Sequence, residues 1–285
     1  MFQLHDARRH AAVIGARHAR GVLIAAIRLA RVATVLAAGL AVAPVFHGLP
    51  LPARRTVLRR WARGLLAALG VRVSAVGVPA RGPGLVVANH VSWLDVMAVA
   101  AVHPAAFVCK SEIAAWPAIG WLLKGVGTVF IRRGSFRDVW RVNLQVRARL
   151  SAWQSVAAFP EGTTTAGHEV LAFRPALFQP AAELALPVFP VALAYSSDAA
   201  TYTGDTPFLR SLLSIARARG LEVHVATLKP LDTQGLTRRQ IALQSHRHIS
   251  TRLLGLQVQA WNRGAPRSES PALSRKRNEA FTTPS

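Results

Sequence analysis

Gly84-Leu85-Val86-Val87-Ala88-Asn89-His90-Val91-Ser92-Trp93-Leu94-Asp95 is the stretch from which the rest of the chain can be read. It opens with an apolar run, Leu85 to Ala88, of the kind that makes a strand buried on both faces. It turns polar at Asn89 and His90, and a second apolar pattern follows. A strand that gives way at once to a helix is the building unit of an α/β domain. In such folds ligands meet the loops and helix starts at strand ends, which is where His90 and Asp95 fall.

Outward from this point, short β-rich runs recur: VRVSAVGV (71–78), AAFVCK (105–110), GTVFI (127–131), SVAAFP (155–160), LPVFPVAL (186–193) and LEVHVATL (221–228). Helix-forming stretches lie between them at 92–101, 114–124, 135–151, 173–185 and 237–255. The alternation predicts an α/β fold, a mixed sheet flanked by helices, over residues 71–263. Residues 264–285, polar and proline-containing, are expected to be a disordered tail.

The chain has 285 residues, of which 51% are hydrophobic, and this excludes a wholly disordered protein. Its 35 basic residues face 13 acidic ones, for a formal net charge of +22, and 31 of the basic residues are arginine. Such a charge implies an anionic partner: nucleic acid, an anionic lipid surface or a phosphate-bearing substrate. The arginines concentrate beside apolar runs and no recognised nucleic-acid module appears, so nucleic acid is not the expected partner. Cys109 is the only cysteine, which excludes an internal disulfide and any multi-cysteine metal site; no metal is expected.

Residues 1–70 read as membrane-anchoring helices. From Gly21 to Phe46 the sequence is apolar except for Arg28 and Arg31, and the uninterrupted part, Val32 to Phe46, is fifteen residues long. A bilayer span needs about 20 residues, so a span requires the two arginines to snorkel to the headgroups. A signal peptide would cut after Ala41-Val42-Ala43, but Pro44 stands directly behind that site. A tilted span or a partly inserted anchor fits better, with Arg8, Arg9, Arg17 and Arg20 holding the leading end cytoplasmic; a buried core helix is the plain alternative. Residues 53–70 form a basic amphipathic helix around Val57, Trp61, Leu65 and Leu69, suited either to an anionic membrane or to packing on the domain.

A histidine at a strand-to-helix turn with a carboxylate five residues on can form a general base, the carboxylate fixing the tautomer of the imidazole. Alone, such a pair is as readily a structural pair or a helix cap. Further along, Phe159-Pro160-Glu161-Gly162-Thr163-Thr164-Thr165 makes a polar turn after a strand. Between them, GTVFIRRGS (127–135) delivers Arg132 and Arg133 to a strand end, where a pair of guanidiniums suits phosphate or carboxylate.

NHVSWLD, GTVFIRRGS, FPEGTTT and LPVFPVAL occur in the order and approximate spacing of the four blocks of the glycerolipid acyltransferases, and the chain resembles the 1-acylglycerol-3-phosphate acyltransferase family over roughly residues 70–230. The resemblance implies that His90 deprotonates an acceptor hydroxyl for attack on an acyl thioester and that Asp95 orients it. It also implies that Arg132 and Arg133 bind the acceptor head group, that Glu161, Gly162 and Thr163 form an acceptor-binding turn, and that Pro190 belongs to the fourth block. The expected donor is acyl-CoA or acyl carrier protein, with membrane lipids as partners, no cofactor and no acyl-enzyme. The expected location is the cytoplasmic side of a bacterial inner membrane.

One departure bears on the acceptor. Many phosphate-using members carry arginine where this chain has Thr164, and Arg174 stands where lysine is expected. Phosphatidate synthesis from 1-acylglycerol-3-phosphate is the first expectation. O-acylation of a lyso-ornithine lipid is the alternative, and a non-catalytic basic membrane- or nucleic-acid-binding protein is the rival of another class.

Overall fold

The computed structural model describes the backbone of residues 2–264 apart from 79–80, 133–135 and 205, and side chains within 20–256 with the same gaps and residue 136. Seven strands form one sheet in the order β1-β7-β6-β2-β5-β3-β4. They are β1 (Arg72–Val76), β2 (Gly84–Ala88), β3 (Ala106–Lys110), β4 (Val129–Ile131), β5 (Ser155–Ala158), β6 (Val188–Tyr195) and β7 (Glu222–Thr227). Strands β2, β3, β4, β5 and β6 run parallel, whereas β7 is antiparallel to β6 and β1 parallel to β7, so the sheet is mixed as expected.

Alternate residues of the central strands feed two cores, because successive side chains point to opposite faces. Val86 and Ala88 join the core beneath the helices α2 (Leu51–Ala68) and α3 (Leu94–Val102). Leu85 and Val87 join the other, beneath α5 (Phe136–Ser151) and α8 (Arg238–Gly264). Every residue of β2 is buried, so the strand that leads to His90 lies at the centre of both layers.

Two expected helices are broken. In place of one helix over 114–124 there are a short turn at Ser111–Ala115 and α4 (Ile119–Gly125), separated at Pro117, which lacks a backbone donor. In place of one over 173–185 there are a turn at Pro175–Phe178 and α6 (Gln179–Glu183). A helix absent from the expectation, α7 (Phe208–Arg217), fills the β6–β7 connection. The tail from residue 265 lies outside the described residues.

The N-terminal helix α1 (Phe2–Val42) is continuous, and Arg20–Val42, 23 residues, is long and apolar enough to cross a membrane. Only 11% of its apolar window is buried in the fold, and Val22, Leu23 and Ile27 are exposed. Its second half is nonetheless docked. Arg28 does not snorkel: its Nη1 donates to the carbonyls of Ala216 and Ala218 at 3.1 and 2.5 Å, at the C-terminus of α7, where the helix dipole favours a cation. Trp61 of α2 donates its indole N–H to Val35 O at 2.9 Å. The apolar stripe of α2 is likewise taken up, since Ala62, Leu65 and Leu66 are buried in the core shared with α3, and Arg63 donates its Nε to Ala101 O of α3 at 3.1 Å.

Gly39 is the point of closest approach between α1 and α2: a Cβ there would lie 2.5 Å from Trp61 Nε1. Gly39→Val should therefore separate the helices at a cost of about 1–3 kcal/mol, the range for overpacking, and lower the melting temperature in detergent by several degrees. An unchanged Tm would mean that α1 is not anchored through Trp61.

Candidate active site

Strand β2 ends at Ala88, and the chain must then turn sharply into α3. Asn89 holds that turn. Its amide nitrogen donates to Leu193 O at 2.9 Å and its Oδ1 accepts from Leu193 N at 2.8 Å, so a side chain extends the ladder to β6 by one rung. The fully buried Asn89 thereby satisfies two groups of β6 that water does not reach.

Asp95, in the first turn of α3, is fully buried. Its Oδ2 accepts the backbone N–H groups of Val91 at 2.6 Å and Ser92 at 2.9 Å and lies 2.8 Å from His90 Nδ1; its Oδ1 accepts from Tyr195 O–H at 2.6 Å. A carboxylate can only accept, so Nδ1 carries a proton, and in the neutral imidazole this leaves the lone pair on Nε2. Nε2 has no hydrogen-bond partner among the described residues, and the His90 side chain keeps 16% of its exposure. Burial, with Asp95 alongside, pushes the Tyr195 hydroxyl well above its ordinary value, so it stays a donor. The imidazole stacks on Phe159, ring centres 4.2 Å apart and planes at 14°, which fixes the ring on a second side.

The turn after β5 clamps the backbone of His90 from both ends. Glu161 Oε1 accepts His90 N–H at 2.7 Å, and Thr165 N–H donates to His90 O at 2.8 Å. Glu161 Oε2 accepts from Leu171 N–H at 2.8 Å, so both oxygens of this buried carboxyl are engaged by main chain. Gly162 has φ of +75°, a conformation that favours glycine, and the Arg174 side chain lies across it, 2.6 Å from where a Cβ would stand. Thr163 is exposed on this turn.

The remaining expected residues stand apart. Pro190 is buried in β6 beside Val87, and its carbonyl accepts from Leu228 N–H just beyond β7. Arg132 follows β4, three strand spacings or about 14 Å from β2 along the sheet, where its Nε donates to Asp138 at 3.0 Å. Arg133 lies outside the described residues. Between them, Lys110 ends β3 and pairs with Glu112 at 3.2 Å. Asn89, Phe159 and Tyr195 were not singled out by sequence reasoning. Asn89 and Phe159 at least abut quoted motif residues, whereas nothing near Tyr195 signals that it reaches back a hundred positions to Asp95.

The arrangement, a histidine whose Nδ1 is held by a buried carboxylate at the carboxyl edge of a mixed α/β sheet, has the geometry of a general base. The sequence profile of the family described as Acyltransferase matches residues 71–194. The lyso-ornithine lipid O-acyltransferase of Pseudomonas aeruginosa is 38% identical over 209 residues, 72% of this chain and 81% of that protein. The 1-acyl-sn-glycerol-3-phosphate acyltransferase of Neisseria meningitidis is 44% identical over 151 residues, 52% of this chain and 58% of that protein. The crystal structure of the 1-acyl-sn-glycerophosphate acyltransferase PlsC from Thermotoga maritima shares the fold, with a TM-score of 0.63 at 19% identity, covering 85% of this chain and 98% of that one. The chain belongs to this acyltransferase family and is an enzyme of that class.

Two outcomes follow from the geometry. Asp95→Asn places an amide where three donors converge and frees the imidazole tautomer; kcat should fall roughly 10²- to 10⁴-fold with acceptor KM little changed, and a KM effect alone would remove Asp95 from the base. Burial pushes the Glu161 carboxyl up from 4.5 to about 7, against the two N–H groups that favour its ionised form. The proton an unfolded chain releases near pH 4.5 stays on the folded protein up to about 7, so native stability falls as pH rises through that window. Glu161→Gln should flatten this decline by about 3 kcal/mol in denaturant titrations across the window; parallel curves for parent and variant would refute the shift.

Proposed function

We propose that the protein transfers an acyl group from a thioester, acyl-CoA or acyl carrier protein, to the hydroxyl of a lysolipid, with His90 as general base. The observation that carries this is the forced tautomer: with Nδ1–H held by Asp95, Nε2 is free to take the acceptor proton. The acceptor oxygen attacks the thioester carbonyl carbon, the C–S bond breaks as the tetrahedral intermediate collapses, and the departing thiolate recovers the proton from the imidazolium. No acyl-enzyme is needed. Burial pushes the Cys109 thiol up to about 12, which leaves it a poor nucleophile. The fully buried Ser92 has its hydroxyl accepting from Leu94 N–H at 3.3 Å.

In this reading Glu161 is a positioning residue that holds His90 through the main chain. Gly162 and Thr163 form the floor of the acceptor turn, Arg174 lies beside them, and Pro190 supports the sheet beneath. Lys110 and Arg132 stand further along the same edge, where their charge suits an anionic head group or donor, and Arg133 is assigned to the head group by the sequence resemblance.

For the acceptor, the lyso-ornithine lipid is favoured by Thr164, which removes a phosphate partner, and by the longer match to the Pseudomonas relative and to another so named from Rhodobacter capsulatus, 33% identical over 78% of this chain. The higher identity to the Neisseria enzyme favours 1-acylglycerol-3-phosphate. We also propose that α1 lies in one leaflet at the cytoplasmic face of a bacterial inner membrane. A spanning α1 would put Arg8, Arg9 and Arg17 on the opposite face from the equally basic catalytic unit, against the positive-inside rule.

Purified enzyme in detergent, given a thioester donor with each lysolipid in parallel, tests this reading. The expected result is transfer to the lyso-ornithine lipid, reduced at least about a hundredfold by His90→Ala, with no burst of covalent acyl-enzyme. Transfer only to 1-acylglycerol-3-phosphate would make Arg132 and Arg133 sufficient for phosphate without an arginine at 164. Transfer to neither would overturn the proposed chemistry.

A further inference from the structure

The opposite edge of the sheet, where the parallel strands begin, carries a second concave site. Arg55 and Arg59 from α2, Arg81 from the turn before β2, His103 from the end of α3 and Ser155 at the start of β5 surround a cavity of about 250 Å³. It stands one strand length, about 17 Å, from the end of β2 that leads to His90. The cavity therefore shares no wall with the acyl-transfer centre.

Three arginines line this one cavity, and none is ion-paired with a carboxylate among the described residues. Arg55 donates one Nη2 to Trp153 O at 3.0 Å, which fixes its stem while the rest of the fork stays available. Ser155 Oγ donates to Gly82 O at 3.1 Å and so pins the turn bearing Arg81 to β5. His103 is buried with Nε2 at 2.8 Å from Thr227 Oγ1. Burial first and Arg59 second push His103 down to about 4, so it adds no charge at neutral pH.

Like charges gathered without a counter-charge repel, and a bound anion relieves them. The guanidinium fork matches the oxygens of a phosphate in bidentate fashion. The volume suits a single phosphorylated group and is too small for a nucleotide or an acyl chain. We propose that this cavity is a binding site for a phosphate monoester group, distinct from the site of acyl transfer. The phosphate has two possible sources, a small soluble molecule or an anionic lipid head group.

Full-length protein in detergent is titrated calorimetrically with pyrophosphate at low salt, and in parallel with bicelles of phosphatidate in phosphatidylcholine against phosphatidylcholine alone. The pocket variant is Arg59→Ala/Arg81→Ala; the charge-matched control is Arg239→Ala/Arg247→Ala, two exposed arginines of α8 that line neither this cavity nor the site around His90. The pocket variant should lose at least tenfold in affinity while the control stays within about twofold of the parent, and both should retain acyl transfer. Loss toward pyrophosphate identifies a site open to soluble phosphate, and loss toward phosphatidate bicelles alone identifies the lipid head group. Equal binding by parent and pocket variant in both arms, or equal loss in pocket and control variants, overturns the proposal. Should the alanine pair fold poorly, Arg59→Gln/Arg81→Gln keeps the stems. The parent's Tm should then rise with pyrophosphate while the glutamine pair's does not, and equal rises in both count against the site.

Discussion

The Asp95 carboxylate has no contact with water and four donors around it: the imidazole Nδ1–H, two backbone N–H groups and the Tyr195 hydroxyl. Burying a charge is costly unless it is fully hydrogen-bonded, and these four bonds bring two separate parts of the chain, the turn after β2 and the end of β6, to the carboxylate in the first turn of α3. The turn must therefore take one path, and the path sets the imidazole. Asn89 fixes where the turn starts, and the Glu161 and Thr165 bonds to His90 close it from the β5 side. The imidazole of His90, though on a loop, is thus held by buried bonds to the scaffold, which keep its Nε2 at one place and orientation.

Helix α1 presents an exposed apolar face and a docked one. Val22, Leu23 and Ile27 of α1 are exposed, whereas Arg28 ties the helix to α7 and Val35 ties it to α2 through Trp61. An arginine inside an apolar segment is tolerable here because carbonyls at a helix end receive it. The apolar helix is consequently tied to the domain that carries His90 by side-chain bonds to main chain.

Much of this was legible beforehand, because strands and motifs are local. All seven strands correspond to apolar runs, and His90 and Asp95 stand five residues apart in one short stretch. The misses have physical causes. Pro117 divided an expected helix by withholding a donor. The helix α7 went unread although its periodicity is strong, being masked by a flanking loop of threonine, glycine and proline. That both oxygens of Glu161 accept from main chain at His90 and Leu171 could not be read from its motif, since His90 is remote in the chain. Arg132 shares the catalytic edge with His90 but sits about 14 Å along it, since strand order cannot be read from chain order.

The sequence by itself determined the class of fold, the nearness of His90 to Asp95, and the basic, apolar character of the N-terminus, because periodicity, spacing and charge are properties of neighbouring residues. Only the tertiary structure decided which nitrogen of His90 is free, through Tyr195 and the converging N–H groups on Asp95. It likewise decided that Arg28 serves α7 rather than a headgroup, and that Arg55, Arg59 and Arg81 share one cavity. Each of these depends on groups remote in the chain meeting in a buried space, where an unsatisfied donor or an unpaired charge is costly enough to select a single arrangement.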